Sequence, residues 1–273
     1  MATFETPGAV AFRITTPAGD VVVATWDEPR VDVDVEPLRD DEASREAAAA
    51  TRLEAIDRGG RHEIVVQVPK RDGRFGFLGR GPELRISIRC PEGADVELST
   101  HSADLDVRGP VGDVNAKSAS GDVTLGDARS LAFTTASGDV SAGTIAGALT
   151  TKGASGDVDV RSVGGVGAVN TVSGDVRIGP TDETMAVNAV SGDVELDAVG
   201  ASVRVSSVSG DVRVAARQGL ALWIDAQSVS GTLSSELDVE DAPATEPGAA
   251  QVELRIRTVS GDVRIARARV PVG

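Results

Sequence analysis

A tetrapeptide that returns roughly every 18 residues is the feature that most limits the folds open to this chain. Ser-Gly-Asp-Val begins at Ser120, Ser137, Ser155, Ser173, Ser191, Ser209 and Ser260. Two degenerate copies, Ser-Ala-Asp-Leu at Ser102 and Ser-Gly-Thr-Leu at Ser230, extend the series. The steps from Ser137 to Ser209 are identical, and only those that lead to Ser230 and Ser260 are clearly longer. A nearly fixed period of this kind is typical of a repeat architecture.

Each repeat contains the patterns of two short strands. Apolar and polar residues alternate after the tetrapeptide, as in Val176-Arg177-Ile178, and again before the next copy, as in Val203-Arg204-Val205. A repeat of about 18 residues is too short for a strand, a crossover helix and a second strand. We therefore predict an all-β fold, a parallel β-solenoid (β-helix) with one coil per repeat, in which equivalent strands pair about 4.8 Å apart. We expect a right-handed coil, the usual hand of parallel crossovers.

Two other repeat folds fit the period less well. The blade of a β-propeller needs about 40 residues and four strands. A triangular left-handed helix also uses about 18 residues per coil, but it needs a hexapeptide period, which this sequence lacks.

The tetrapeptide predicts a tight corner followed by a strand. Glycine adopts positive φ without a steric penalty, and aspartate and serine accept hydrogen bonds from turn amides. The corner glycines are Gly121, Gly138, Gly156, Gly174, Gly192, Gly210 and Gly261, and the aligned aspartates are Asp104, Asp122, Asp139, Asp157, Asp175, Asp193, Asp211 and Asp262. Stacked coils would place these carboxylates in a column, with a repulsion of roughly 1 kcal/mol per neighbouring pair in water. We expect amide and hydroxyl donors to offset it, with bound cations as the alternative.

The flanks of the repeat predict the domain organisation. Residues 1–98 are expected to form a β-rich N-terminal cap with one helix over residues 42–57, which Gly59 ends, and residues 99–268 the solenoid. The acidic stretch 236–250 is expected to be a surface loop, after which residues 254–263 rejoin the column. Phe75, Phe77 and Leu78 lie in a segment rich in Gly and Arg, which is the candidate partner-contact loop.

Composition and single residues exclude several function classes. The net charge of −15 argues against nucleic-acid binding. Two His and one Cys cannot form a His/Cys metal cluster, so we expect no metal site and no cofactor. Cys90 is expected to be a buried structural thiol. Without a recognisable signal peptide or an apolar run long enough to span a bilayer, the expected location is the cytoplasm, with no membrane insertion.

The sequence also resembles a bacterial family of proposed adhesins with β-strand repeats and no known function. The resemblance rests on the Ser-Gly-Asp-Val copies, on Thr16-Pro17-Ala18-Gly19-Asp20-Val21 and on Trp26-Asp27-Glu28-Pro29, and it covers nearly the whole chain. It implies a parallel β-helix and no agreed catalytic residues. Many members of that family carry a signal peptide or a membrane anchor.

These observations favour a non-enzymatic scaffold or adhesin-like interaction protein whose partner is a protein. A homodimer formed by end or face stacking is compatible with the repeat. The alternatives are a polysaccharide-acting β-helix enzyme and a cation-binding aspartate column. The regular repeat shows no long loops that would build an enzymatic cleft.

Overall fold

Parallel strand pairing at the repeat distance is the main feature of the structure, a computed structural model that describes residues 1–69, 81–237 and 252–268. The described chain is mostly β-strand with one short helix and forms two compact units, Met1–Ala142 and Gly143–Gly273. Within these described ranges no helix is long and apolar enough to cross a bilayer. The predicted β-solenoid is confirmed, and each unit is described below by itself.

The first unit contains eleven strands and one helix, counted over the described residues. They are β1 (Ala2–Glu5), β2 (Ala9–Trp26), β3 (Arg30–Pro37), α1 (Glu42–Ala50), β4 (Arg52–Asp57), β5 (Arg61–Gln67), β6 (Leu84–Pro91), β7 (Asp95–Arg108), β8 (Val111–Lys117), β9 (Val123–Leu125), β10 (Ala128–Thr134) and β11 (Val140–Ile145), which begins in this unit.

Parallel layers build the body of this unit. On one side the long strand β2 pairs with β5 and β6, and on the other it pairs with β7. Strand β7 in turn pairs with β8 and β9, which pair with β10 and β11. Asp20 of β2 lies opposite Asp104, so the N-terminal echo of the motif belongs to a stacked layer. The predicted boundary at residues 98 and 99 falls within β7, and parallel stacking begins well before it.

Antiparallel strands close the N-terminal side of this unit. Strand β4 pairs with β5, β3 pairs with β6, and β1 pairs with β3, each in the antiparallel sense. These strands cover the edge of the first parallel layer, which would otherwise expose unpaired backbone groups.

The helix begins where the sequence predicts and ends earlier. Asp41 caps it by accepting a hydrogen bond from the Ser44 amide at 2.7 Å, which holds the pKa of this carboxyl below its ordinary value. It ends at Ala50 rather than residue 57, because residues 52–57 form β4 and pair with β5. Gly59, with a φ of 67°, lies in the turn between those two strands, so its predicted role as the helix stop is wrong.

The second unit contains the most regular coils. Its described strands are β12 (Leu149–Ser155), β13 (Val158–Val163), β14 (Gly167–Ser173), β15 (Val176–Ile178), β16 (Met185–Ser191), β17 (Val194–Val199), β18 (Val203–Ser206), β19 (Val212–Ala216), β20 (Leu222–Ser230), β21 (Leu233–Ser235), β22 (Val252–Ser260) and β23 (Val263–Arg267).

Equivalent residues of successive repeats lie over one another, as the period of the sequence predicts. Val158 pairs in register with Val176, Val176 with Val194 and Val194 with Val212. These valines are almost fully buried, so a column of apolar side chains runs through the coils. One coil cannot bury its own apolar face, and its stability therefore comes from its neighbours.

The order of the last coils differs from their order in the sequence. Strand β18 pairs with β22 and β19 with β23, while β20 and β21 pair with the opposite sides of β22 and β23. The final described coil, residues 252–267, therefore lies between the coil of residues 203–216 and the coil of residues 222–235. Residues 254–263 do rejoin the stack, one layer further inside than their position in the sequence suggests.

Candidate functional site

The corner at each Ser-Gly-Asp copy is built by glycine and by short polar side chains. Gly156, Gly174, Gly192, Gly210 and Gly261 adopt φ between 122° and 144°, as the sequence predicts. Gly121 and Gly138 are exceptions, since neither has a positive φ. A Cβ at Gly121 would lie 2.0 Å from the Ala103 carbonyl oxygen, so close approach of the neighbouring coil requires glycine there.

Buried hydroxyl groups two residues before the corner serine donate hydrogen bonds to its backbone carbonyl. Thr171 donates to the Ser173 carbonyl at 3.1 Å, and Thr258 and Ser207 donate to the equivalent carbonyls at 3.4 Å. These three side chains are buried, so each bond satisfies a hydroxyl that water does not reach. This contact was not predicted, although Thr or Ser two residues before the tetrapeptide is visible in several copies.

Backbone amides resolve the electrostatic problem of the aspartate column. In the second unit the amide of Asp193 donates to Oδ1 of Asp175 at 3.0 Å, and the amide of Asp211 donates to Oδ1 of Asp193 at 2.8 Å. The amides of Asp175 and Asp262 make the same bond to Asp157 and Asp211. In the first unit the amide of Asp122 donates to Oδ1 of Asp104, and the amide of Asp139 donates to Oδ1 of Asp122. Each of these acceptor carboxylates thus receives a hydrogen bond from a backbone amide of the next coil, which is the predicted amide offset.

A charged groove runs along the outer face beside this column in the second unit. It has a volume of about 400 Å³. The charged side chains that line it are Asp175, Asp193, Asp211, Asp262, Glu195, Arg177, Arg213 and Arg264. Arg213 pairs with Glu195 of the neighbouring coil at 3.4 Å, and Arg177 pairs with Asp175 at 3.3 Å. Five acidic groups face three guanidinium groups, so the groove is net acidic.

A stripe of exposed valines lies on the other side of the same corner. We use the name valine stripe for Val172, Val190, Val208, Val259 and Val229, each of which directly precedes a corner serine. The corner serines pair layer by layer, which places these valines in neighbouring layers. Four of them are 46–50% exposed, and Val229 is 82% exposed.

The fold does not require valine at these positions. The equivalent residues in the first unit are His101, Ala119 and Ala136, and Ala154 occupies the position in the second unit. Single exposed apolar residues are common on protein surfaces, but contiguous apolar patches of a few hundred Å² often mark interaction sites. The second unit therefore carries, at one edge, an apolar stripe and a charged groove separated by the corner.

Other predicted residues have simpler outcomes. Cys90 is fully buried and free, and burial raises the pKa of its thiol to about 12, as expected of a structural cysteine. In residues 1–69, 81–237 and 252–268 no group of three His, Cys, Asp or Glu side chains could hold a metal ion. Phe75, Phe77 and Leu78, together with most of the predicted acidic loop at 236–250, lie outside the described residues.

Several solved structures are similar to this chain over almost its whole length. A protein of Clostridium sporogenes described as a candidate cell adhesion protein is 11% identical, with 97% of each chain covered and a TM-score of 0.25. Candidate adhesins of Bacteroides fragilis and Parabacteroides merdae are 13% and 10% identical, with TM-scores of 0.38 and 0.43. Both comparisons cover 97% of this chain and 95% of the other. At such values no function carries over from these proteins.

No curated protein sequence matches the chain significantly. A family model, described as Toastrack DUF4097, matches residues 27–266, which is most of the sequence and includes every Ser-Gly-Asp-Val copy. The protein belongs to the Toastrack DUF4097 family.

Proposed function

We propose that this protein is a non-enzymatic, adhesin-like interaction scaffold that binds a protein partner along the corner surface of its second unit. The observation that carries the proposal is the valine stripe beside the charged groove. Protein interfaces commonly combine an apolar centre with a polar rim, and this surface offers both in adjacent rows.

The charge of the groove favours a class of partner. Its five carboxylates and three guanidinium groups leave a net negative charge next to the stripe. A partner with an apolar row flanked by basic side chains would be complementary, and electrostatic complementarity favours such a partner over acidic ones. Rigid layers, tied by backbone hydrogen bonds, would bind it without a large ordering cost.

The valine stripe supplies the first test. Val190→Lys combined with Val208→Lys places two cations in the centre of the surface, on side chains that are nearly half exposed and do not fill the core. We expect chemical cross-linking in cells of the native organism to lose the partner that the wild-type protein recovers. The matched control is Ala136→Lys, which changes the equivalent corner position in the first unit and should retain that partner.

Two results would contradict the proposal. One is equal partner recovery by the wild-type protein and the stripe variant, with circular dichroism showing that both are folded. The other is turnover of an acidic polysaccharide by the purified protein, since an interaction scaffold has no such activity. The cytoplasmic location expected from the sequence stays a prediction, which cell fractionation tests.

A further inference from the structure

The outermost layer of the second unit has one unpaired edge among the described residues. Strand β20 pairs with β22 and β21 pairs with β23, and both pairings use the same side of this layer. The opposite side presents strand N–H and C=O groups with no described strand against them. An exposed sheet edge is a template for pairing with another strand.

The apolar interior is also uncovered at this layer. Ile224 is 37% exposed and Leu233 is 50% exposed. Their register partners one layer inside, Leu254 and Val263, are 0% and 1% exposed. The contrast is the one expected where the apolar column ends without a cover.

The edge lacks the devices that usually prevent association. Between Leu220 and Ser235, Asp225 is the single charged residue, and the segment contains no lysine and no proline. Asp225 lies within 4 Å of Arg255 and Arg257 of the next layer. In a protein with a net charge of −15, this is an unusually uncharged surface for a second copy to approach.

The aspartate column indicates how a second copy would dock. Thr232 donates its amide to Asp262 Oδ1 at 2.8 Å, and it has no carboxylate to accept the amide of a further layer. A two-fold contact needs no acceptor at position 232.

We propose that this edge is a self-association surface, on which a second copy of the chain pairs its own β20 antiparallel to β20. The inference is independent of the proposed function, because the valine stripe and groove are not needed for it. The layer measures about 30 Å by about 10 Å, a footprint of roughly 300 Å². This is less than the ~800 Å² per partner of a standard interface, so we expect a weak dimer with a dissociation constant in the micromolar range.

Sedimentation velocity of the full chain from about 1 to about 200 μM tests the proposal. We expect the wild-type protein to shift from monomer to dimer, with no larger species. Ile224→Lys combined with Leu233→Lys, which changes the two uncovered side chains of the outermost layer, should stay monomeric over this range. The control Val172→Lys combined with Val190→Lys changes exposed valines of inner layers and should still dimerise. Thermal melting checks that both variants remain folded.

Cysteine cross-linking tests the two-fold geometry. Gln227→Cys should form a disulfide between identical positions of two copies under mild oxidation, because Gln227 lies near the middle of β20, where a two-fold axis relating antiparallel strands brings identical residues together. Arg257→Cys, its register partner one layer inside, should form at least tenfold less cross-linked dimer. Buried Cys90 is common to both variants and does not interfere. The proposal is overturned if the wild-type protein stays monomeric at every concentration, which is the result expected if a segment of the same chain covers the edge. It is also overturned if the two cysteine variants cross-link equally.

Discussion

Single residues at the corner explain why the tetrapeptide recurs. Gly192 combines a φ of 122° with a position where a Cβ would lie 2.2 Å from the Gly174 carbonyl oxygen. Asp193 accepts the amide of Asp211 in the next layer, and its own amide donates to Asp175. Each of these corner residues is therefore fixed by the layer beside it, which is why the same residues return in most coils.

The glycine requirement gives the first prediction. Gly192→Ala adds a Cβ that clashes with backbone and strains φ, so we expect a loss of about 2–4 kcal/mol in the free energy of unfolding. Gly126→Ala is the control, because no atom lies within 4 Å of a Cβ there and its φ is not positive. Urea denaturation should separate the two variants clearly. Similar midpoints for both would show that the corner tolerates a side chain.

The aspartate column gives the second prediction. Asp193→Ala leaves the Asp211 amide without its acceptor and should lower the free energy of unfolding by about 1 kcal/mol. Asp193→Asn keeps a side-chain oxygen and removes one charge from the column, so it should cost less than the alanine variant. Urea denaturation at low salt measures the order. If alanine and asparagine had equal effects, the amide bond would not be the stabilising contact.

An ion pair in the first unit gives a prediction about pH. Arg129 and Ser130 donate hydrogen bonds to Asp113, which lowers the pKa of this carboxyl to about 2. A folded-state pKa below the unfolded value of about 3.9 means that Asp113 stabilises the fold above that pH and loses its contribution as the pH falls toward 2. A carboxyl titration by NMR should give a midpoint near 2.

Substitutions of arginine test the cause of this pKa shift. Arg129→Gln removes the guanidinium that donates to Asp113 and should raise the Asp113 midpoint by about a unit or more. Arg61→Gln is the control, because Arg61 acts on Asp113 only through its charge and makes the smallest contribution to the shift. An unchanged midpoint in the Arg129 variant would rule out the ion pair as the main cause.

At the level of elements, the position of β22 and β23 changes which residues count as interior. Ile256 of β22 is fully buried between Val205 of β18 and Ala226 of β20. Ile224 of β20, which precedes it in the sequence, is more than a third exposed. Chain order alone would assign these two isoleucines the opposite environments.

The coil of residues 252–267 gives a prediction that distinguishes the observed stacking order from stacking in the order of the sequence. Ile256→Ala should lower the free energy of unfolding by about 3 kcal/mol, because it opens a cavity in a packed layer. Ile224→Ala should cost about 1 kcal/mol, because its side chain is partly solvated. Guanidinium denaturation of both variants measures the difference. A larger loss for Ile224→Ala would place the coil of residues 222–235 inside the stack.

At the level of the whole molecule, the net charge of −15 opposes compaction. The ion pairs seen among the described residues are largely at exposed side chains, where each contributes little. Repulsion among the excess carboxylates should therefore dominate the response of stability to salt.

Salt supplies the whole-molecule prediction. Raising NaCl from about 10 to about 200 mM shortens the range of charge repulsion and should raise the Tm by a few degrees. A solution of the same ionic strength that contains millimolar calcium chloride should give the same Tm within error. A distinctly larger rise with calcium would support cation binding by the aspartate column, the alternative considered from the sequence.

The period of the sequence determined the local structure and the stacking. A short, nearly constant step with alternating apolar positions leaves one parallel coil per repeat as the economical fold, and the register of Val158, Val176 and Val194 agrees with it. Amide donors to the aspartate column were also predictable, because a column of carboxylates needs compensation that a tight turn supplies. The hand of the coil stays a prediction.

Tertiary structure alone decided which layers became neighbours and what covers their edges. Residues 52–57 have helix-compatible composition, yet they form β4 because β5 offers an unpaired edge. The coil of residues 252–267 lies inside that of residues 222–235, an order that the sequence period does not encode, because a step length does not say on which earlier coil a later repeat stacks. The repeats specify how neighbouring layers pair, and long-range contacts decide the order in which the layers are stacked.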